Sequence, residues 1–70
     1  MAEQAEVGKC EETIRRRLPV GSSVSLGRLR QELVGRGVDE GVVMRAVQVL
    51  VRRETVQLRN GGSTVFRIGV

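Results

Sequence analysis

Arginine is the residue type in this sequence best suited to binding, and it makes up eleven of the twelve basic residues. A guanidinium group is always charged and presents a flat fork of N–H donors that pairs with phosphate or carboxylate. Arginines form a run at positions 15–17, a pair at 52–53 and single sites at 59 and 67. The formal net charge of +4 permits contact with nucleic acid or an acidic protein and requires neither.

Histidine, cysteine and lysine, on which many catalytic and metal sites depend, are scarce or absent. The chain has no His and one Cys, which excludes His-dependent triads and the usual zinc-site spacings. Lys9 is the only Lys and precedes Cys10, so there is no phosphate-binding loop of the G-x-x-x-x-G-K-S/T type. We therefore expect no catalytic residue, no metal and no cofactor.

Length and composition indicate one small domain. The 70 residues are 40% hydrophobic and 29% charged, which is ordinary for a folded chain. Residues 1–6 look like a flexible lead-in, and residues 7–70 are expected to form the domain. A single Cys fits a reducing compartment, and no apolar run approaches the roughly 20 residues that cross a bilayer. We expect an intracellular protein, or a fragment of one, with no membrane partner and with a monomeric isolated domain.

The first half of the domain reads as two helices. Apolar residues spaced three, four and four apart predict a helix from about residue 6 to 18: Val7, Cys10, Ile14 and Leu18. The arginine run would lie at its C-terminal end, where the helix dipole favours cations, so the run has a structural explanation beside a phosphate-binding one. Ser22 to Val24 could form a short first strand. Ser25 is a good N-cap for a second helix, which would end at Gly35 to Gly37.

A third helix is predicted from Asp39, its N-cap, to Arg53. Its core side would carry apolar residues at helical spacing: Val43, Ala46, Val47, Leu50 and Val51. Its outer face would carry Arg45, Gln48 and Arg52. Val42 and Val49 fall between the two faces. They could pack against the second helix or form a partly exposed aliphatic strip for a protein partner.

The last third of the chain predicts a β-hairpin. Two alternating segments, 55–59 and 63–68, flank a turn at Asn60-Gly61-Gly62, whose residues tolerate positive φ. A helix followed at once by a hairpin, behind two shorter helices, is the pattern of a winged helix. The predicted fold class is therefore α+β, with three helices, a small antiparallel hairpin wing and a short first strand.

The signal for sequence-specific DNA binding is thin. A winged helix would place its third helix in the major groove, and that helix offers three polar outer residues behind the acidic start Asp39-Glu40. Arg59 and Arg67 flank the hairpin turn and could touch phosphate, while no aromatic residue is expected to be free to stack on bases. The pattern favours protein contact, or weak sequence-independent contact with the duplex backbone.

Several segments in register resemble the extreme C-terminus of the minichromosome maintenance replicative helicase, most like subunit five of the eukaryotic hexamer. They span roughly residues 10 to 68: Ile14–Arg17, Val20–Ser25, Val47–Arg53, Val56–Arg59 and Phe66–Ile68. The resemblance implies a nuclear, regulatory winged-helix domain tethered behind an ATPase motor. Its implied partners are other helicase subunits and origin-loading factors, during helicase loading or activation.

The resemblance also implies site residues. Phe66 matches a core position, and five residues match contact positions: Arg52, Arg53, Gln57, Arg59 and Arg67. The hairpin tip departs from the family pattern because it lacks basic residues, and the segment between Gly27 and Gly41 is richer in glycine, which predicts a shorter or less rigid second helix. Two alternatives stay open, namely a free-standing winged-helix transcription regulator and a scaffold adaptor.

Overall fold

The computed structural model describes the backbone of residues 2–69 and the side chains of residues 4–69. The elements follow in the order α1 (Ala2–Arg17), β1 (Ser23–Ser25), α2 (Leu26–Gly35), α3 (Glu40–Arg52), β2 (Val56–Arg59) and β3 (Thr64–Arg67). The three strands form one antiparallel sheet in the order β1-β3-β2. This is the predicted α+β winged helix, and the short first strand is confirmed.

The start of α1 differs from the prediction. The helix begins at Ala2, whereas the apolar spacing predicted a start near residue 6. Gln4, Ala5 and Glu6 are exposed, so this part of the helix has no apolar face and left no periodic signal. The division of the chain into residues 1–6 and 7–70 stays a prediction.

Side-chain caps begin α2 and α3 as predicted. The hydroxyl of Ser25 accepts a hydrogen bond from the Arg28 N–H at 3.4 Å, and the carboxylate of Asp39 accepts one from the Gly41 N–H at 3.0 Å. Each cap satisfies a backbone donor that has no partner within the helix. Because both caps are sequence-local, the starts of these helices were predictable.

The core lies between the three helices and the inner face of the sheet. Its largest fully buried side chains come from every layer: Ile14, Leu18, Leu29, Val43, Val47, Leu50, Val56 and Val65. Within residues 2–69, no helix combines the length and the apolar character needed to span a bilayer.

The inner face of β3 carries Val65 and Arg67, and Phe66 lies on its outer face, contrary to the prediction. Val65 is fully buried and Arg67 is 8% exposed, so these two side chains point inward. Phe66 is only half-buried and lies on the outer face, and Ile68 is 44% exposed. The interpretation of Phe66 as a core residue is therefore wrong. Alternation puts neighbouring residues on opposite faces without saying which face is inside.

Candidate protein and nucleic-acid interface

The outer face of α3 carries the three polar residues predicted there. Arg45, Gln48 and Arg52 are all exposed, since they alternate with the buried positions of an amphipathic helix. The acidic start of the helix is engaged within the domain. Asp39 caps the helix, and the Glu40 carboxylate lies 3.6 Å from the guanidinium of Arg30 on α2. The outer face of α3 is therefore a polar, arginine-bearing surface.

The two aliphatic residues that fall between the faces of α3 differ in exposure. Val42 is 6% exposed and belongs to the core, and Val49 is half-buried and packs against it. α3 packs on α1 as well as on α2 and therefore buries a wider arc than one neighbouring helix would cover. The interpretation of Val42 as part of a partly exposed strip is therefore wrong, whereas a partner contact by Val49 stays a prediction.

Arg53 links the end of α3 to α1. Its guanidinium donates to the carboxylate of Glu11 at 3.3 Å, and Arg15 lies 4.0 Å from the same oxygen. Glu11 is 7% exposed, whereas the side chain of Arg53 is 62% exposed. Arg53 therefore has one structural contact and still presents much of its side chain to solvent. Arg16 and Arg17, the other two arginines at the end of α1, are also paired with carboxylates.

The arginine run at the end of α1 is paired with carboxylates. Arg17 donates from two nitrogens to Glu32 of α2, at 2.9 and 3.1 Å. Arg16 donates to Glu12 at 3.2 Å. The hydrogen bond between Arg17 and Glu32 lowers the pKa of the Glu32 carboxyl and raises the pKa of the Arg17 guanidinium. These pairs support the structural explanation of the run.

Arg67 lies inside the domain, where it satisfies three backbone carbonyls. Its Nη1 donates to the carbonyls of Arg15 and Leu18, each at 2.9 Å, and its Nε donates to the carbonyl of Gly69 at 2.6 Å. In a continuing helix the Arg15 carbonyl would accept from residue 19, but Pro19 has no N–H. The expectation that Arg67 flanks the turn on the surface is wrong, because it supplies a donor that the end of α1 lacks.

The outer face of the hairpin brings together Gln57, Arg59 and Phe66, here called the sheet platform. Gln57 and Phe66 are partners in the register of β2 and β3. The Arg59 guanidinium lies 3.8 Å from the centroid of the Phe66 ring, and its Nε donates to the Gln57 side-chain oxygen at 3.1 Å. Sequence reasoning missed this cluster because it placed Phe66 in the core. The strand register would have revealed it.

Cys10 is buried in the core and is 3% exposed. Burial, together with the negative charge of neighbouring Glu11, raises the pKa of the Cys10 thiol. The thiol therefore stays protonated near neutral pH, where the thiolate would be the reactive form. Across the part of the chain that the structure describes, no three His, Cys, Asp or Glu side chains form a group that could hold a metal ion.

Known proteins match the chain over nearly all of this architecture. A family model described as "MCM5, C-terminal domain" matches residues 9–67. The chain belongs to the MCM5 C-terminal domain family. The matched residues of this MCM5 domain run from α1 to the end of β3 and include the outer face of α3, the buried Arg67 and the sheet platform. The predicted resemblance to subunit five is confirmed.

Two MCM5 relatives are similar over most of the chain. The DNA replication licensing factor mcm5 of Dictyostelium discoideum is 35% identical over 57 residues, which cover 81% of this chain and 8% of that protein. The DNA replication licensing factor MCM5 of Oryza sativa subsp. indica is 32% identical over 62 residues, which cover 89% of this chain and 8% of that protein. The chain thus spans about 8% of the length of these relatives.

Proposed function

We propose that the chain is a non-catalytic regulatory winged-helix module at the C-terminus of a replicative DNA helicase subunit. It mediates contacts with other helicase subunits and origin-loading factors during helicase loading or activation. The match of residues 9–67 to the MCM5 C-terminal domain carries this proposal. Two relatives named as DNA replication licensing factors also favour it over a free-standing transcription regulator or a scaffold adaptor, and they favour a nuclear location.

The outer face of α3 is the contact surface that fits this function. Arg45, Gln48 and Arg52 are exposed there, and arginine is enriched in protein interfaces because its fork pairs with carboxylates. With Val42 buried and Val49 half-buried, this face offers little aliphatic area to a partner. The partner surface is therefore expected to be polar and acidic, and the affinity to depend on ionic strength.

Contact with DNA is a weaker, second activity of the same module. Exposed Arg52 and Arg59 can reach phosphate, while the acidic start of α3 opposes deep entry into a groove. We expect sequence-independent binding of the duplex with a dissociation constant of about 10⁻⁴ to 10⁻⁶ M at physiological salt. The affinity should fall steeply as salt rises.

A titration followed by NMR tests the protein contact. The isotope-labelled chain is mixed with purified helicase subunits and origin-loading factors, and we expect amide shifts at Arg45, Gln48 and Arg52. The triple variant with all three changed to Ala should lose most of the binding. Arg36→Gln removes one exposed charge at the far end of α2 and controls for the loss of charge away from α3. Binding that survives the triple variant would show that the partner uses another surface.

A second titration tests the DNA contact. Two unrelated duplexes of equal length are compared at about 50 and about 200 mM salt, a range over which phosphate contacts weaken strongly. We expect equal, weak and salt-sensitive affinities for both duplexes. Tight, salt-resistant binding to one of them would overturn the sequence-independent interpretation and favour a transcription regulator.

A further inference from the structure

The outer face of the sheet is an open surface with the one aromatic residue at its centre. Ser23 of β1 and Gln57 of β2 flank Phe66 of β3 in the strand register. Phe66 is half-buried, and Ile68, two residues further along the same face, is 44% exposed. The helices pack on the opposite face, where Val56 and Val65 are buried. Solvent therefore reaches the face that carries Phe66.

Arg59 lies over the face of this ring. Its guanidinium carbon lies 3.8 Å from the ring centroid, a distance at which the group rests on the ring face. Its Nε also donates a hydrogen bond to the side-chain oxygen of Gln57 at 3.1 Å, which gives the side chain a second contact. Because Arg59 is exposed, a ligand can reach its side chain from solvent. The platform is thus ordered before any ligand arrives.

We propose that the sheet platform binds an unpaired base of single-stranded nucleic acid. Nucleobases stack on aromatic rings and on guanidinium planes. On the platform the Arg59 guanidinium faces the base, and the Phe66 ring supports it from below. None of the residues in the three strands is acidic, so the face suits a polyanion. The nitrogens of Arg59 that Gln57 leaves available can reach the neighbouring phosphate.

Other ligands fit this geometry less well. A duplex keeps its bases stacked and paired, so it offers no base face to the platform. A carboxylate prefers a two-pronged edge of the guanidinium, and Gln57 occupies the Nε position of one such edge. The site lies on a different surface from the outer face of α3, so it can fail or succeed independently of the proposed protein contact. It shares Arg59 with the proposed duplex contact and goes beyond it by binding a base.

The single aromatic ring gives the experiment a direct signal. Phe66 is the one aromatic residue in the sequence, so its ring protons form an uncrowded set of NMR resonances. The chain is titrated with oligothymidine and with an abasic oligomer of the same length and charge. We expect the Arg59 Nε–H and Phe66 ring resonances to shift with oligothymidine alone, because the base covers Arg59 and Arg59 rests on the ring. Binding should be about tenfold tighter than to the abasic oligomer, from stacking of one base.

Two variants separate stacking from charge. Phe66→Leu removes the ring and keeps an apolar side chain, and Arg59→Lys keeps the charge and removes the plane. Each should weaken oligothymidine binding about tenfold while leaving abasic binding nearly unchanged. Arg36→Gln, which removes a charge away from the platform, should affect both oligomers equally and slightly. Amide spectra establish that each variant is folded before it is compared.

Several results would overturn the proposal. Equal affinity for oligothymidine and the abasic oligomer would show that only phosphate is bound. Tighter binding of an acidic peptide or of a duplex at the platform would assign it a different ligand. If Arg52→Ala abolishes oligothymidine binding while Phe66→Leu does not, the nucleic acid lies on α3, and the proposed function survives without the platform.

Discussion

Arg59 and Arg67 belong to one hairpin and have opposite environments. Arg59 lies near the tip on the outer face, exposed and resting on Phe66. Arg67 lies at the base on the inner face, 8% exposed and bonded to three carbonyls. The comparison shows that the role of an arginine here depends on strand face and on the acceptors within reach, and that residue type alone does not reveal it.

The inner arginine is costly to replace because its acceptors are fixed backbone groups. Pro19 leaves the carbonyl of Arg15 without its helical donor, and Arg67 is the group that reaches it. A buried carbonyl left without a donor costs about 1–3 kcal/mol. The outer arginine has no such obligation, because water can solvate both it and its neighbours. Substitution of Arg67 should therefore lower the stability of the domain far more than substitution of Arg59.

The largest effect is expected for Arg67→Met. This change keeps the apolar stem and removes every donor, so the domain should lose about 3 kcal/mol or more of unfolding free energy. Urea unfolding followed by far-UV circular dichroism measures the loss. Arg67→Lys should lose less, because one ammonium can satisfy part of the set. A loss below about 1 kcal/mol for Arg67→Met would contradict the assigned role.

An intermediate effect is expected at the end of α3, where Arg53 bonds to a buried carboxylate and neighbouring Arg52 is exposed. Arg53→Ala removes the hydrogen bond to Glu11, which is 7% exposed, and should cost about 1 kcal/mol. Arg52→Ala, at an exposed position, should stay within about 0.5 kcal/mol. The same unfolding assay compares the pair. Equal losses would mean that Glu11 gains little from Arg53.

Arg59→Ala should have a small effect on stability. It removes an exposed contact between a cation and a ring, which contributes about 0.5–1 kcal/mol. Thermal unfolding should therefore change little, in contrast to Arg67→Met. A loss for Arg59→Ala as large as that for Arg67→Met would mean that the platform is structural and would remove the contrast between the two arginines.

The smallest effect concerns pH and the surface pair of Arg17 with Glu32. The pKa of Glu32 is lowered in the folded state, so the folded chain holds this carboxylate ionised at lower pH than the unfolded chain does. The resulting stability is present above the unfolded value of about 4.3 and is lost as pH falls through the lower folded value. Glu32→Gln should remove it, so the difference in unfolding free energy between the two chains should shrink on acidification. A difference that stays constant from neutral pH to about pH 2.5 would contradict the assignment.

Sequence reasoning succeeded where the signal was local. The N-caps Ser25 and Asp39, the amphipathic α3 and the positive-φ turn at Asn60 all depend on a few neighbouring residues, and the structure contains each of them. The fold class followed from their order along the chain. The exposed positions of Arg45, Gln48 and Arg52 followed from the helical period.

Sequence reasoning failed where the answer depends on distant partners. Phe66 was assigned to the core from the family resemblance, but the inner face of β3 carries Val65 and Arg67. Nothing near position 67 reveals the carbonyls of residues 15 and 18 that draw its side chain inward. Val42 was left between two faces because the packing of α1 against α3 cannot be deduced from α3 alone.

The contacts of Arg67 also have a consequence for the timing of folding during synthesis. Its backbone pairs with Gly21 and Ser22, and its side chain bonds to the end of α1, across sequence separations of 52 and 49 residues. A ribosome must therefore release position 67 before the sheet and the first helix can be joined. Until that moment the apolar faces of the earlier helices are not covered by the last strand. A stalled ribosome or a truncated transcript would leave these faces exposed to chaperones and proteases.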